Sequence, residues 1–259
     1  MDETIETAEE AAPAAGGTPV AELVRRGRER RLSDDVSDFE EAVPLLREAI
    51  EASPGHAAAH AELSQVYAAW GLRRENGCLG FRRETRRAEF QSLYDMAYEY
   101  AASALRLAAE NGASHRAMAA ALRRGAKADQ ERRLREATLA VELDPDDPEN
   151  LCERWRALGY DPDDKGLRAA LEAHPELVGV RIDLAQSLVE RGRYEEAMHE
   201  FRMALRASPR NLQAYYDVAM LLDREGQRGK AREVLARAAQ LRPDDPLIGQ
   251  GRALLGEAP

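Results

Sequence analysis

Two consecutive blocks of 34 residues superimpose on each other: residues 178–211, VGVRIDLAQSLVERGRYEEAMHEFRMALRASPRN, and residues 212–245, LQAYYDVAMLLDREGQRGKAREVLARAAQLRPDD. In register, Leu184 falls on Val218, Ala185 on Ala219, Leu188 on Leu222, Gly192 on Gly226, Ala197 on Ala231, Phe201 on Leu235, Ala204 on Ala238 and Pro209 on Pro243. Self-similarity at this period means stacked helix pairs, each of which buries its apolar face only against its neighbours. Leu184, Ala185 and Leu188 form a stripe on a first helix, and Ala197, Phe201 and Ala204 form one on a second. Glycine at position 192 allows the left-handed turn between them. Pro209 ends the pair because it has no amide to donate.

Small, bulky, small and proline at these offsets resemble the tetratricopeptide repeat, and they do so most specifically over residues 178–245. The resemblance implies an all-α fold: a right-handed α-solenoid of stacked antiparallel helix pairs, about six repeat-like units followed by a C-terminal capping helix. Composition agrees. Aromatic residues are 5% of the 259-residue chain, and helices that pack through alanine need few rings. The formal net charge of -10 argues against a nucleic-acid partner. No apolar run reaches membrane-spanning length. The acidic N-terminus lacks the basic and apolar regions of a leader, so the expected location is cytoplasmic.

Residues 1–18 are acidic, small and broken by proline and glycine, and read as a disordered tail. The solenoid is expected over 19–259. Its first pair has a good second helix, with Phe39, Ala42, Leu46, Ala49 and Pro54 on the pattern, but carries Glu29 and Arg30 where the first helix needs apolar residues. Pro44 predicts a late start or a kink in that second helix. In the next pair Leu63, Tyr67 and Gly71 fit a first helix ending at Gly71. An insertion of about twenty residues follows, then an extended helix, so that 72–110 is the most individual part of the chain. A unit over 114–147 has Arg133 in place of a small residue. The next is shortened, and PLIGQGRALLGEAP reads as the cap.

Catalytic signatures are not found, and the chain is read as a non-enzyme without cofactor or metal. His56 and His60 have ligand-like spacing but no third ligand, and a helix start is the better reading. Cys78, in an NGCLG turn, is read as an inert thiol. The acidic runs DPDDPEN and YDPDDKG read as helix caps. The arginines at 25, 26, 28, 30 and 31, and at 82, 83, 86 and 87, are interleaved with glutamates and read as solvated, salt-bridged faces.

The resemblance implies that first helices line a concave groove holding a partner segment. The groove positions would be Glu62 and Gln65 in one unit, Ile182, Asp183 and Gln186 in another, and Gln213, Tyr216, Asp217 and Met220 in the next. These predict a mixed apolar and acidic groove for a basic or amphipathic protein segment. They lack the Lys, Arg and Asn of the clamp that grips a C-terminal carboxylate in chaperone-binding members, since Ile182, Gln186 and Asp217 stand there. The expected function is a non-enzymatic interaction scaffold or adaptor, with self-association open through the end repeats. The alternative is a solute-binding or transporter-accessory protein with a pocket near 72–110.

Overall fold

The computed structural model describes residues 18–76, 87–124 and 129–256. Among the described residues there are thirteen helices and no strand. They pair as α1 (Val20–Leu32) with α2 (Val36–Ala52), α3 (Ala57–Asn76) with α4 (Arg87–Leu107), and α5 (Gly112–Ala121) with α6 (Gln130–Leu143). The series continues with α7 (Pro148–Ala157) and α8 (Lys165–Ala173), α9 (Val178–Glu190) and α10 (Tyr194–Ala207), and α11 (Leu212–Arg224) and α12 (Arg228–Leu241). Helix α13 (Pro246–Leu254) closes the stack, with Ile248 fully buried and Leu235 lying against Gly251. This is an α-solenoid of antiparallel helix pairs.

The repeated positions carry the core. Leu184, Ala185, Leu188, Ala197, Phe201 and Ala204 are buried, as are Val218, Ala219, Ala231, Leu235 and Ala238 in the next unit. Gly192 and Gly226 take φ of 75° and 76°, the left-handed conformation that the tight reversal demands. The aspartates act as caps: Asp147, Asp164 and Asp245 accept from the amides of Glu149, Leu167 and Leu247. Each satisfies an amide that the first turn leaves without a partner.

Three expectations are corrected. Helix α2 starts at Val36, eight residues before Pro44, and runs through it. Asp35 caps that helix, and Pro44 lies on its exposed side, where water can reach the carbonyl left without a donor. Second, Gly71 does not end α3, which continues to Asn76. A β-carbon at position 71 would stand 2.7 Å from the Tyr94 ring, so this glycine serves the close approach of α4 rather than a turn. Third, the insertion of about twenty residues is partly helical, since α3 reaches Asn76 and α4 is already helical at Arg87. The 21 residues of α4 make it about 31 Å long, against 14 residues in α10. Cys78 and the arginines at 82, 83 and 86 lie outside the described residues, as does the tail up to residue 17.

The degenerate first helix has its own solution. Leu23 and Gly27 are buried, and a β-carbon on Gly27 would stand 2.6 Å from Leu46, so glycine lets α1 rest on α2. The reversal between these helices falls at Asp34, a non-glycine residue at φ 56°. Leu32 then packs on the core formed by α7 to α11, far along the chain.

Candidate functional site

The first helices of the pairs, α1, α3, α5, α7, α9 and α11, lie along one side of the stack, and most of that side is occupied by the chain's own charges. Arg31 donates to Glu62 at 2.8 Å and to Glu149 at 2.6 Å, and Arg28 also reaches Glu149, at 2.9 Å. Arg116 donates to Asp147, to Asn150 at 2.8 Å and to Gln65 at 3.2 Å. Glu153 accepts from Arg123 at 2.5 Å and Arg133 at 3.3 Å. Asp183 accepts from Arg156 at 2.7 Å and Arg73 at 3.3 Å, and Arg73 reaches Asp34 at 2.7 Å. Seven arginines and six carboxylates thus form a ladder of two networks across five repeat units, one on Glu62, Asp147 and Glu149 and one on Asp34, Glu153 and Asp183, which meet at one cavity.

Burial alone would raise Glu149, Glu153 and Asp183, but their partners decide the outcome. Arg31, Arg116 and Arg28 hold Glu149 well below the usual carboxylate range. Arg123 and Arg133 lower Glu153, and Arg156 and Arg73 lower Asp183. Asp34 behaves differently: burial pushes it up to about 6 in spite of Arg73, with Asp183 adding to the rise.

The corner between α1 and α2 closes onto distant repeats. Asn211, fully buried at the start of α11, donates to the carbonyls of Ser33 at 3.1 Å and Asp34 at 3.0 Å. Arg242, just after α12, donates to Asp35 at 2.5 Å. On α9, a β-carbon at Gly179 would stand 2.8 Å from the Asp34 carboxylate, so glycine lets the corner seat there.

The predicted groove residues fall into two groups. Glu62, Gln65, Ile182, Asp183, Gln213 and Tyr216 are buried; Ile182 belongs to the core, and Glu62, Gln65 and Asp183 are members of the ladder. Gln186, Asp217 and Met220 are half-buried. Asp217 accepts from Gln186 at 2.8 Å and Gln213 at 2.9 Å, and burial raises its carboxyl to about 6 against those two bonds. Sequence reasoning missed the arginines. Arg31 belongs to the cluster read as a solvated face, yet it lies within the side formed by the first helices, and the expected mixed apolar and acidic groove carries these buried guanidiniums as well. Their spacing gives no signal of this, because the partners are about 31 and 118 positions away. His60 contacts the Pro54 carbonyl at 3.0 Å and His56 accepts from the Ala59 amide, the geometry of a helix start.

Two spaces remain. One, of about 70 Å³, lies within the ladder. The other, of about 490 Å³, lies at the seam where the α1–α2 corner meets α11, α12 and α13. Its apolar wall includes Val36, Leu212, Leu241 and Leu247. Its charged residues are Asp34, Asp35, Glu40, Asp244 and Asp245 against Arg73, Arg74 and Arg242. All three arginines are engaged, with Asp34, Glu40 and Asp35 respectively, which leaves Asp244 and Asp245 as the carboxylates beyond those three pairs.

Tetratricopeptide-repeat models match residues 34–71 and 188–255, which include the first corner and the last repeats. With the helix pairs and the buried repeat positions, these matches show that the chain carries tetratricopeptide repeats in both segments. Among solved structures it is similar to a chain of the APC/C hetero-tetramer Cut9–Hcn1, with a TM-score of 0.59 and 12% identity over 92% of this chain. It is also similar to yeast Tom70, with a TM-score of 0.52 and 15% identity over 95% of this chain. A curated relative, the uncharacterized protein y4yS of Sinorhizobium fredii, is 33% identical over 84 residues, 32% of this chain. The chain spans about half the length of each, namely 48%, 58% and 46%.

Proposed function

We propose that this protein is a non-enzymatic interaction scaffold that holds a basic, amphipathic segment of a protein partner at the seam cleft. The supporting observation is the cleft itself: about 490 Å³, apolar-walled, with five carboxylates against three arginines, so that two carboxylates, Asp244 and Asp245, remain beyond the three ion pairs. A space of this size falls in the range that binding sites use. An apolar anchor would occupy the wall at Leu241 and Leu247, while lysine or arginine of the partner would meet Asp244 and Glu40. The segment would then follow α11, where Gln213, Asp217 and Met220 recur at helical spacing on one face. Gln186 joins that face through its bond to Asp217. The other concave positions, Glu62, Gln65, Ile182, Asp183 and Tyr216, support the groove from within. Adaptor work in complex assembly, in a cytoplasmic setting, is the role this reading favours.

The test is capture with chemical crosslinking, comparing wild type with Leu241→Ser/Asp244→Lys. Both positions are exposed, so the change should leave stability within about 0.5 kcal/mol. The reading expects crosslinks from a lysine-rich segment to the cleft, lost in the variant. Equal capture by both proteins, with crosslinks on the outer helices, would reject it.

A further inference from the structure

We propose that the cavity inside the arginine ladder binds a free, small tetrahedral oxyanion of the phosphate class. The cavity is about 70 Å³, room for about five water-sized groups at roughly 10–15 Å³ each. Five guanidiniums line it, those of Arg31, Arg73, Arg116, Arg123 and Arg156, contributed by α1, α3, α5 with the turn after it, and α7. Three carboxylates share the wall, Asp34, Glu149 and Glu153, and each is already bonded to arginine.

Among the described residues, two of the five guanidiniums keep buried donors without a partner, Arg73 Nη1 and Arg123 Nε. Arg73 is 5% exposed, so water outside the molecule does not serve it. A buried donor left unpaired is costly, and a guanidinium donor most of all, which makes these two N–H groups the strongest sign that something accepts there. Charge agrees: the whole ladder has seven arginines against six carboxylates. The chain as a whole is at -10, so five arginines against three carboxylates at the cavity wall is a local arrangement and not a reflection of composition. Guanidinium forks match an oxyanion with several acceptor oxygens, and several of them converging from different helices would tie the first repeats to the middle ones. The ion would act as a structural keystone, in a cavity that shares Asp34 and Arg73 with the seam cleft proposed for the partner.

The experiment is a thermal-melting titration of the full chain with inorganic phosphate at fixed ionic strength, in parallel with chloride, acetate and O-phosphoserine, backed by calorimetric titration. The expected result is a saturable rise in Tm with phosphate, no rise with chloride, and at least tenfold weaker binding of acetate and O-phosphoserine. The latter is too large for the cavity. Arg123→Lys, at the rim of the ladder, should remain folded by circular dichroism and lose at least tenfold in phosphate affinity. Should that variant fail to fold, the wild-type anion series decides alone. Equal responses to phosphate and chloride, or no calorimetric signal at millimolar phosphate, would mean that water alone fills the cavity. Equal binding of acetate or phosphoserine would overturn the assignment to a free tetrahedral ion.

Discussion

Asn211 concentrates the closure of the solenoid in one side chain, which makes its loss predictable in both size and place. Its Oδ1 accepts from the Ala214 amide at 2.9 Å and so caps α11, while its Nδ2 donates to the carbonyls of Ser33 and Asp34. Replacement by serine keeps a capping oxygen and removes both donors. At about 1 kcal/mol for each lost bond, plus a share of the penalty for two carbonyls left without a partner, Asn211→Ser should cost about 2–3 kcal/mol. Asn211→Ala also loses the cap and should cost about 1 kcal/mol more. Asn150 is the internal control. It is equally buried and donates to two carbonyls, Ala140 at 2.9 Å and Asp144 at 3.0 Å, but both lie within its own neighbourhood. Asn150 also accepts from Arg116 at 2.8 Å, so urea denaturation should show Asn150→Ser losing at least as much as Asn211→Ser. Limited trypsin digestion should separate them, since only the first frees the corner next to Arg30 and Arg31. The reasoning fails if Asn211→Ser stays within about 0.5 kcal/mol of wild type, or if cleavage at the corner is no faster than in Asn150→Ser.

Other perturbations have defined directions. Asp217 is held near 6 by burial, above its ordinary value of 3.8, so its neutral form is favoured in the fold and its share of stability is lost as pH rises from about 4 to 6. Asp217→Asn should accordingly exceed wild type by up to about 2–3 kcal/mol at pH 7 and converge with it near pH 4, read by melts across pH. Glu149→Gln strips the shared partner from Arg31 and Arg28 and should cost about 3–5 kcal/mol at neutral pH by chemical denaturation. Gly179→Ala brings a methyl to 2.8 Å from Asp34 and should lower stability by about 1–3 kcal/mol, although alanine favours a helix. The Cys152 thiol, pushed up to about 12 by burial, should resist iodoacetamide at pH 8 in the native protein and react on unfolding, as measured by mass spectrometry.

The repeat architecture was legible because its signal is local. Gly192, Ala197, Phe201 and Pro209 sit within one 34-residue period, and each carries a physical requirement that a single residue type answers. Gly27 and Gly71 were less legible because the same residue serves a turn or a close approach, and only the Leu46 and Tyr94 side chains opposite them decide which. The ladder could not be read at all. Arg31 looks the same in sequence as the exposed Arg25 on the same helix, which bonds to Glu22 and Glu29. The rotation of the helix between the two positions, about 240° at 3.6 residues per turn, sends the first inward and leaves the second in water. Closure is a further step removed, since Asn211 and Asp35 find partners 178 and 207 positions away.

The claim on which the rest depends is that the first corner is seated against the last repeats in solution. It can be measured directly with spin labels on Ser37→Cys and Asp244→Cys, which face each other across the seam cleft, in a Cys78→Ser background. Cys152 is fully buried and needs no replacement. Pulsed dipolar spectroscopy should give a single narrow, short distance in the otherwise unaltered chain, broadened to longer distances by Asn211→Ser. A broad or long distribution without the Asn211 change would contradict the account, because it would leave the first-helix side of the stack open and the seam cleft unformed.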